Sequence, residues 1–572
     1  MKLSNLVPLV AGFGRFLTAA AVPFFEEIGS RTWLIGNDVW NMTQGRQYGT
    51  RVFYKGRDIV GRARGHYVSY RKSSLSSAWR LGSRKTRRVG AFIDVRFSAN
   101  SGDMHWVVFE GLHGAYQYFV NRALPPQGEF RSLWRVDNTT FPTGKTNSVD
   151  KELPPLRLYL PQNYVSDELW VHPDGDGYIT KYDFGDFLRE QRYYGLYGES
   201  FGTWYIAPGK DYYNGNHLKQ ELMVHRESNT GDAVMLNMLH GTHYQVQSPD
   251  DMPVGKIWGP WLWYLNDGSH TDVEARAAEE FAAWPYAWLD NAAYQARGSV
   301  SGRIVLSDGR PASNASVFLG DSSPQKSALG QGSNYYYTTY ADDSGNFVFE
   351  NVRAASYSLQ AWPNGGSIGD VSTTHLQDDI QVRAGEVTDL GNLDWATTGK
   401  TSIFQLGTFD RLASEFKFGG APREHGLVFQ CPESLYFTIG TSATSDWCYG
   451  QTWLGTYTIA FTLTALSSSL PEVATLIVHL AGYSGAASSV IRLNAQQVGN
   501  LTADARTGPF ESESLVNEQS VYRSATAAGE WRHFEFSVPG ALMVEGVNEL
   551  EFEVVRNSSG RGFMWDSIKL EW

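Results

Sequence analysis

The chain has 572 residues, 42% hydrophobic and 14% aromatic, with 19 Trp, 30 Tyr, 30 Phe and 58 Gly. Its 48 Lys and Arg against 60 Asp and Glu leave a net charge of −12. That balance argues against nucleic acid as a partner, because neutralising phosphates needs a basic face. Beyond the N-terminus no stretch is long and apolar enough to span a bilayer, so no membrane partner is expected. Length predicts roughly two to four domains. Aromatic- and glycine-rich composition with modest charge predicts short strands and turns, an all-β chain with little helix.

Met1-Lys2-Leu3, the apolar run Val7 to Leu17 and Ala19-Ala20-Ala21 read as a secretory signal over residues 1–22, interrupted by Arg15. A secreted, extracellular protein is expected. Five Asn-x-Ser/Thr sites (Asn41, Asn138, Asn314, Asn500 and Asn557) permit glycosylation. From Arg31 to Trp263, strands alternate with Gly, Pro, Asn and Asp clusters. The basic run Arg84-Lys85-Thr86-Arg87-Arg88 has Gly and Ser flanks and reads as a solvated loop. Thr271-Asp272-Val273-Glu274 reads as a capping box, opening a helix that Pro285 should stop.

A second unit, 298–399, has turns at Asp308-Gly309 and Asp343-Ser344-Gly345-Asn346, with alternation at Tyr357, Leu359 and Ala361. That pattern predicts a small antiparallel sandwich. In the third unit, 400–572, Tyr457, Ile459, Phe461 and Leu463 alternate with Thr458, Ala460, Thr462 and Thr464, which predicts a jelly roll. The only cysteines, Cys431 and Cys448, are expected to close one loop there, favouring an oxidising compartment.

Polar and aromatic residues crowd together between Tyr178 and Gln245, where a plain core would be apolar. The segments are Ile179-Thr180-Lys181-Tyr182-Asp183-Phe184, Trp204-Tyr205, Asp211-Tyr212-Tyr213-Asn214-Gly215-Asn216-His217, and His240-Gly241-Thr242-His243-Tyr244-Gln245. Upstream, Arg131 and Arg135 stand four apart in Glu129-Phe130-Arg131-Ser132-Leu133-Trp134-Arg135, a spacing that puts both on one face of a strand. Lys210 and Lys219 add charge to what reads as a groove for an acidic sugar. Taken singly, each of these groups also has a structural reading. The arginines can be a surface pair, Lys181 a solvent-facing lysine, and His240, His217 and His243 structural hydrogen-bonders. Trp258, Trp261, Trp263 and Tyr264 read as packing beneath the first domain rather than as a sugar groove.

At these residues the sequence resembles the rhamnogalacturonan lyases of polysaccharide lyase family four, closest to the longer fungal-type members. The resemblance extends through Ile35-Gly36-Asn37-Asp38-Val39-Trp40-Asn41, Gly102-Asp103-Met104-His105-Trp106, Pro208 to Leu222, and Trp565 to Trp572. It implies three all-β domains: a β-super-sandwich carrying the active site (23–297), a fibronectin-III-like sandwich (298–399), and a carbohydrate-binding-module-like jelly roll (400–572). The implied activity is β-elimination in the rhamnogalacturonan I backbone of pectin, leaving a 4,5-unsaturated galacturonate.

By motif, the resemblance makes Lys181 the base and His243 the acid, with Arg131 and Arg135 on the uronate carboxylate. Tyr205, Tyr212, Tyr213, Asn216 and His217 are expected to bind substrate. Where shorter fungal members carry two tyrosines before the histidine, this chain has Met235-Leu236-Asn237-Met238.

The C5 proton is weakly acidic beside a carboxylate already negative, so fixed positive charge must oppose the charge that builds on its removal. Neighbouring arginines and partial burial are expected to free Lys181 to act as base. His243 would then protonate the departing O4. The two arginines remove the need for a catalytic metal, so no cofactor is expected to be required, with room left for a structural calcium in the jelly roll; a monomer is expected. His172 to Asp183 only superficially follows a calcium-loop pattern and reads as an Asp-Gly turn. Two rival functions are a glycoside hydrolase using Asp174, Asp176, Asp183, Asp186 or Glu199, and a non-catalytic carbohydrate-binding protein.

Overall fold

The computed structural model describes residues 22–72, 75–78, 83–125, 129–166, 168–175, 177–241, 243–244, 252–321, 334–420, 426–464, 472–484, 487–502, 521, 524, 526–527, 531–557 and 560–572. All of the expected signal segment but Val22 lies outside them.

Two large sheets make the first domain, one of ten strands and one of nine. Their inner faces meet through alternating residues that period-two pleating sends inward. Trp134 of the strand Glu129–Val136 stacks on Trp263 of the strand Ile257–Asn266, with ring centroids 4.4 Å apart. Trp40 meets Trp263 edge-on, and Phe130 packs on Phe119 and Trp258. Trp258, Trp261 and Trp263 are therefore core, as the sequence predicts.

The helix His270–Ala283 lies across the outer face of the nine-stranded sheet through Val273 and Ala277. Its cap differs from the expected one: Ser269, not Thr271, accepts the Asp272 N–H, at 3.2 Å. The helix ends at Ala283, ahead of Pro285. The Arg84–Arg88 run is also not a loop. It lies in the strand Ser83–Val89, the edge of the nine-stranded sheet, antiparallel to Phe92–Ala99.

The second unit packs a three-stranded against a four-stranded sheet around Val300, Phe347, Tyr357 and Trp395. It is not wholly antiparallel, because Arg297–Leu306 pairs parallel with Val387–Trp395. The third packs two five-stranded sheets, with Tyr457, Ile459 and Phe461 in its core. The Cys431–Cys448 disulfide forms within it, closing a separation of 17 residues. A loop of that size stabilises by about 3 kcal/mol.

The three units share buried joints. Asp211 of the first is held at 3.2 Å by Arg297, which opens the strand Arg297–Leu306 of the second unit's sheet, and at 2.8 Å by Arg353 of the second. Arg411 lies between the rings of Trp362 and Trp531, at 4.0 and 4.1 Å. The third unit also reaches the small sheet that leads to Lys181. Leu169 belongs to the third unit's core, and the Tyr178 ring lies 6.0 Å from that of Phe429.

Candidate active site

The site lies on the outer face of the ten-stranded sheet. In the strand Glu129–Val136, Phe130, Trp134 and Val136 point to the core, so Arg131, Leu133 and Arg135 share the opposite face. Across the ladder, Arg131 stands opposite Ser69 and Met238, and Leu133 opposite Tyr67 and Leu236. Tyr67, Leu133, Val234, Leu236 and Met238 form an apolar floor, joined by Tyr182, Leu222 and Tyr244. Leu236 and Met238 of the tyrosine-free stretch therefore lie in that floor.

The Asp-Gly turn expected from the sequence feeds Lys181 through a strand that ends before it. Lys181 is not a strand residue but the first residue of a 3₁₀ turn, Lys181–Phe184, set by Thr180, whose hydroxyl accepts the Tyr182 N–H at 3.2 Å. The strand before it, Tyr178–Thr180, is fed by a turn at His172–Gly177 with Gly175 and Gly177 at φ of 77° and 82°. Positive φ at both positions explains the glycines. Lys181 Nζ lies 3.3 Å from Glu168 Oε1 and 5.6 Å from the Tyr182 ring centroid. Its nearest charged partner is thus a carboxylate, not the arginines.

The His243 ring packs 6.4 Å from that same Tyr182 ring. Its Nδ1 lies 2.6 Å from Oε1 of Glu221, a carboxylate with no exposure, and its backbone N–H donates to the same carboxylate. The buried carboxylate fixes the proton on Nδ1. Arg131 Nη1 then donates to Nε2 at 3.1 Å, while its Nε donates to Ser69 Oγ at 2.9 Å. Asn214 secures the turn that carries His243: its Oδ1 accepts both the Gly241 N–H and Lys219 Nζ.

Arg131 also meets Glu129 Oε2 at 3.5 Å, and Arg135 is the more tightly ion-paired of the two. The Arg135 guanidinium is 2.8 Å from Glu227 and 3.7 Å from Asp232, and it donates to the Tyr67 hydroxyl at 3.1 Å. Partial burial opposes its charge, but Tyr67, Glu227 and Asp232 outweigh that and hold it above its ordinary range.

Two residues beside these groups were not singled out from the sequence. Glu221 is one. The other is His225, on the short strand Val224–Arg226, buried opposite Val234 with Nδ1 lacking a hydrogen-bond partner among the described residues. Burial pushes it well below the ordinary imidazole range, and the charges of Lys181, His243, Arg135 and Arg131 all push the same way. A neutral histidine therefore sits among the four groups that the sequence nominates.

The other nominated residues lie elsewhere. Tyr205, Tyr212 and Tyr213 are 1%, 0% and 0% exposed, too buried to meet a sugar. The Tyr213 hydroxyl donates to Asn237 at 2.6 Å and the Tyr212 hydroxyl to Tyr213 at 3.2 Å. Asn216 is buried and accepts the Leu218 N–H. His217 stacks on Trp362 and meets Ser316 Oγ at 3.2 Å, a joint between the first two units. Lys210 and Lys219 are buried rather than lining a groove. Burial, aided by Arg189, pushes Lys210 down to about 7. Burial brings Lys219 to about 7 as well, against the pull of Glu221. Sequence pattern marked a polar, aromatic region but could not separate its solvent face from its interior. Thr242 and Gln245 lie outside the described residues.

Comparison with known proteins agrees with this architecture. The profile described as "Polysaccharide lyase family 4, domain II" matches residues 296–390, and "Polysaccharide lyase family 4, domain III" matches residues 402–570. A protein named rhamnogalacturonate lyase from Dickeya dadantii is 33% identical, over 84% of this chain and 80% of its own length. A probable rhamnogalacturonate lyase B from Aspergillus niger is 25% identical, over 73% of this chain and 66% of its own. A solved xanthan lyase from Paenibacillus covers 97% of this chain and 52% of its own at 8% identity, but its TM-score of 0.27 carries no argument. The chain belongs to polysaccharide lyase family 4.

Proposed function

We propose that the protein cleaves the rhamnogalacturonan I backbone by β-elimination between rhamnose and O4 of galacturonate. One relationship carries this reading: Arg131 joins His243 at 3.1 Å, and the Tyr182 ring has Lys181 Nζ 5.6 Å and the His243 ring 6.4 Å from its centre. A uronate carboxylate entering this face meets Arg131, whose planar fork suits it. Lys181 takes the C5 proton, the electron pair forms the C4–C5 double bond, the C4–O4 bond breaks, and O4 receives the Nε2 proton of a His243 imidazolium, held by Glu221, once Arg131 has turned from Nε2 to the substrate carboxylate. Arg131 opposes the charge that builds on the carboxylate, where such stabilisation is usually the largest contribution. Arg135, tied to Glu227 and Asp232, holds Tyr67 and the floor. These steps call on no metal.

The resting hydrogen bonds favour a second assignment of the same two residues. Arg131 donates to Nε2, so that nitrogen is unprotonated, whereas Lys181 faces the Glu168 carboxylate. With roles exchanged, His243 takes the C5 proton and Lys181 supplies O4. A substrate bearing an acidic leaving group separates the two, because it spares the acid but not the base.

Hydrolysis fits the site less well. Asp186 is buried and accepts from Thr146 Oγ1 at 2.9 Å, while the Asp174 side chain is 84% exposed beside His172. Asp176 lies outside the described residues. The Cys431–Cys448 bridge supports secretion into an oxidising compartment. Ultraviolet absorbance during incubation with debranched rhamnogalacturonan I tests the reading. A rise from the conjugated uronate, lost in Lys181→Ala, is expected; new reducing ends without absorbance would mean hydrolysis.

A further inference from the structure

The nine-stranded sheet carries an open cleft of about 420 Å³ on its outer face, on the far side of the sandwich from Arg131. Ile93, Val95 and Phe119 of its strands face the core, so Asp94 and Tyr118 face outward. Trp288 and Phe92 give the cleft an aromatic wall, their rings 6.1 Å apart. Trp288 is half-buried, and its indole N–H has no hydrogen-bond partner among the described residues. The size falls within the range of carbohydrate- and cofactor-sized sites.

Charge decides what would enter. Asp94 is occupied, accepting from Tyr118 Oη at 2.9 Å and meeting His105 Nδ1 at 2.8 Å. Among the described residues, Arg87 is held by Asp290, at 3.0 Å, with side chains 59% and 75% exposed. An exposed pair of this kind is worth little, so another carboxylate can replace Asp290. Arg87 also lies on the edge strand Ser83–Val89, whose sequence contains four basic residues and no acidic one.

We propose that this cleft is a second carbohydrate-binding site, for a uronate-bearing stretch of polysaccharide remote from the reacting bond. Arg87 exchanges Asp290 for a sugar carboxylate, and Trp288 receives the C–H face of a pyranose ring. The ligand rests on the substrate class proposed above, but the site is independent of Lys181 and His243. Holding the polymer at two places raises its effective concentration at the reacting face.

The test compares the native chain with Arg87→Glu, an exposed charge reversal, and with Trp288→Ala. Affinity is read by retardation in gels containing rhamnogalacturonan I or a neutral galactan. Rates are read on the polymer and on an oligosaccharide too short to span both faces. The inference expects retardation by the acidic polymer alone, weakened roughly three- to tenfold in Arg87→Glu. KM for the polymer rises by a similar factor, with the short-substrate rate unchanged. Unchanged retardation and KM in Arg87→Glu overturn the site and leave the basic strand as edge protection alone. If the native chain binds the polymer without cleaving it, the proposed reaction fails while the gel comparison still decides the cleft.

Discussion

Glu221 holds His243 by ring and backbone together: Oε1 lies 2.6 Å from Nδ1, and Oε2 accepts the His243 N–H at 3.2 Å. The imidazole is thereby fixed in tautomer and direction, with Nε2 turned to Arg131. Glu221→Gln keeps the shape but removes the charge that sets the Nδ1 proton. It is expected to lower kcat on the order of a hundredfold, with KM little changed and the pH–rate profile displaced. A merely structural role would alter the melting temperature and leave that profile in place.

Arg131 and Arg135 share a face but should fail differently. Arg131→Ala leaves the substrate carboxylate unopposed and is expected to lower kcat/KM roughly 10²- to 10³-fold, with the smaller loss of stability because its ion pair, to Glu129, is looser at 3.5 Å. Arg135→Ala strands Glu227 and Asp232, each 16% exposed, and is expected to cost about 1–3 kcal/mol. Parallel thermal melts and initial rates separate the two; equal effects on both readouts would refute the division.

His66 lies between the sheets, with Nε2 2.9 Å from Ser132 Oγ and accepting from Gln117 Nε2 at 3.2 Å. Burial pushes it down to about 3, against an ordinary value of 6.5. Between those values the unfolded chain binds a proton that the folded chain refuses, so stability falls as pH falls from 6.5 towards 3. His66→Gln removes that contribution. Its stability relative to the native chain should improve on acidification by up to a few kcal/mol, read by urea unfolding across this window.

Gly426 has φ of +79°, and a Cβ there would lie 2.8 Å from the Tyr178 ring. Tyr178 opens the strand leading into Lys181, so the third domain presses on the segment that presents the proposed base. Gly426→Ala should cost about 1–2 kcal/mol by backbone strain and displacement of Tyr178. If the joint positions Lys181, kcat falls while retardation in polymer gels stays native; unchanged kcat would leave the joint purely structural.

Much of this was legible from local pattern. Phe130, Trp134 and Val136 alternate with Arg131 and Arg135, so a shared arginine face follows from strand pleating alone. The family resemblance pointed to Lys181 and His243. What stayed hidden depends on contacts distant in sequence. Glu221 meets His243 across 22 residues, and nothing near either one signals it. Tyr212 and Tyr213 look like sugar-binding residues until packing puts them under the sheet. The Arg84–Arg88 run has no apolar alternation, because an edge strand tolerates charge that an interior strand cannot. Ser269 and Thr271 both carry cap-competent hydroxyls two residues apart, and only the helix geometry chooses between them.

The most direct measurement counts products two ways in one reaction on debranched rhamnogalacturonan I. Unsaturated uronate is read by ultraviolet absorbance and new chain ends by reducing-sugar assay. Elimination at the Arg131 face predicts one unsaturated uronate for every new end, with both signals lost together in Lys181→Ala and in His243→Ala. New ends without unsaturation, or full activity in both variants, would contradict it.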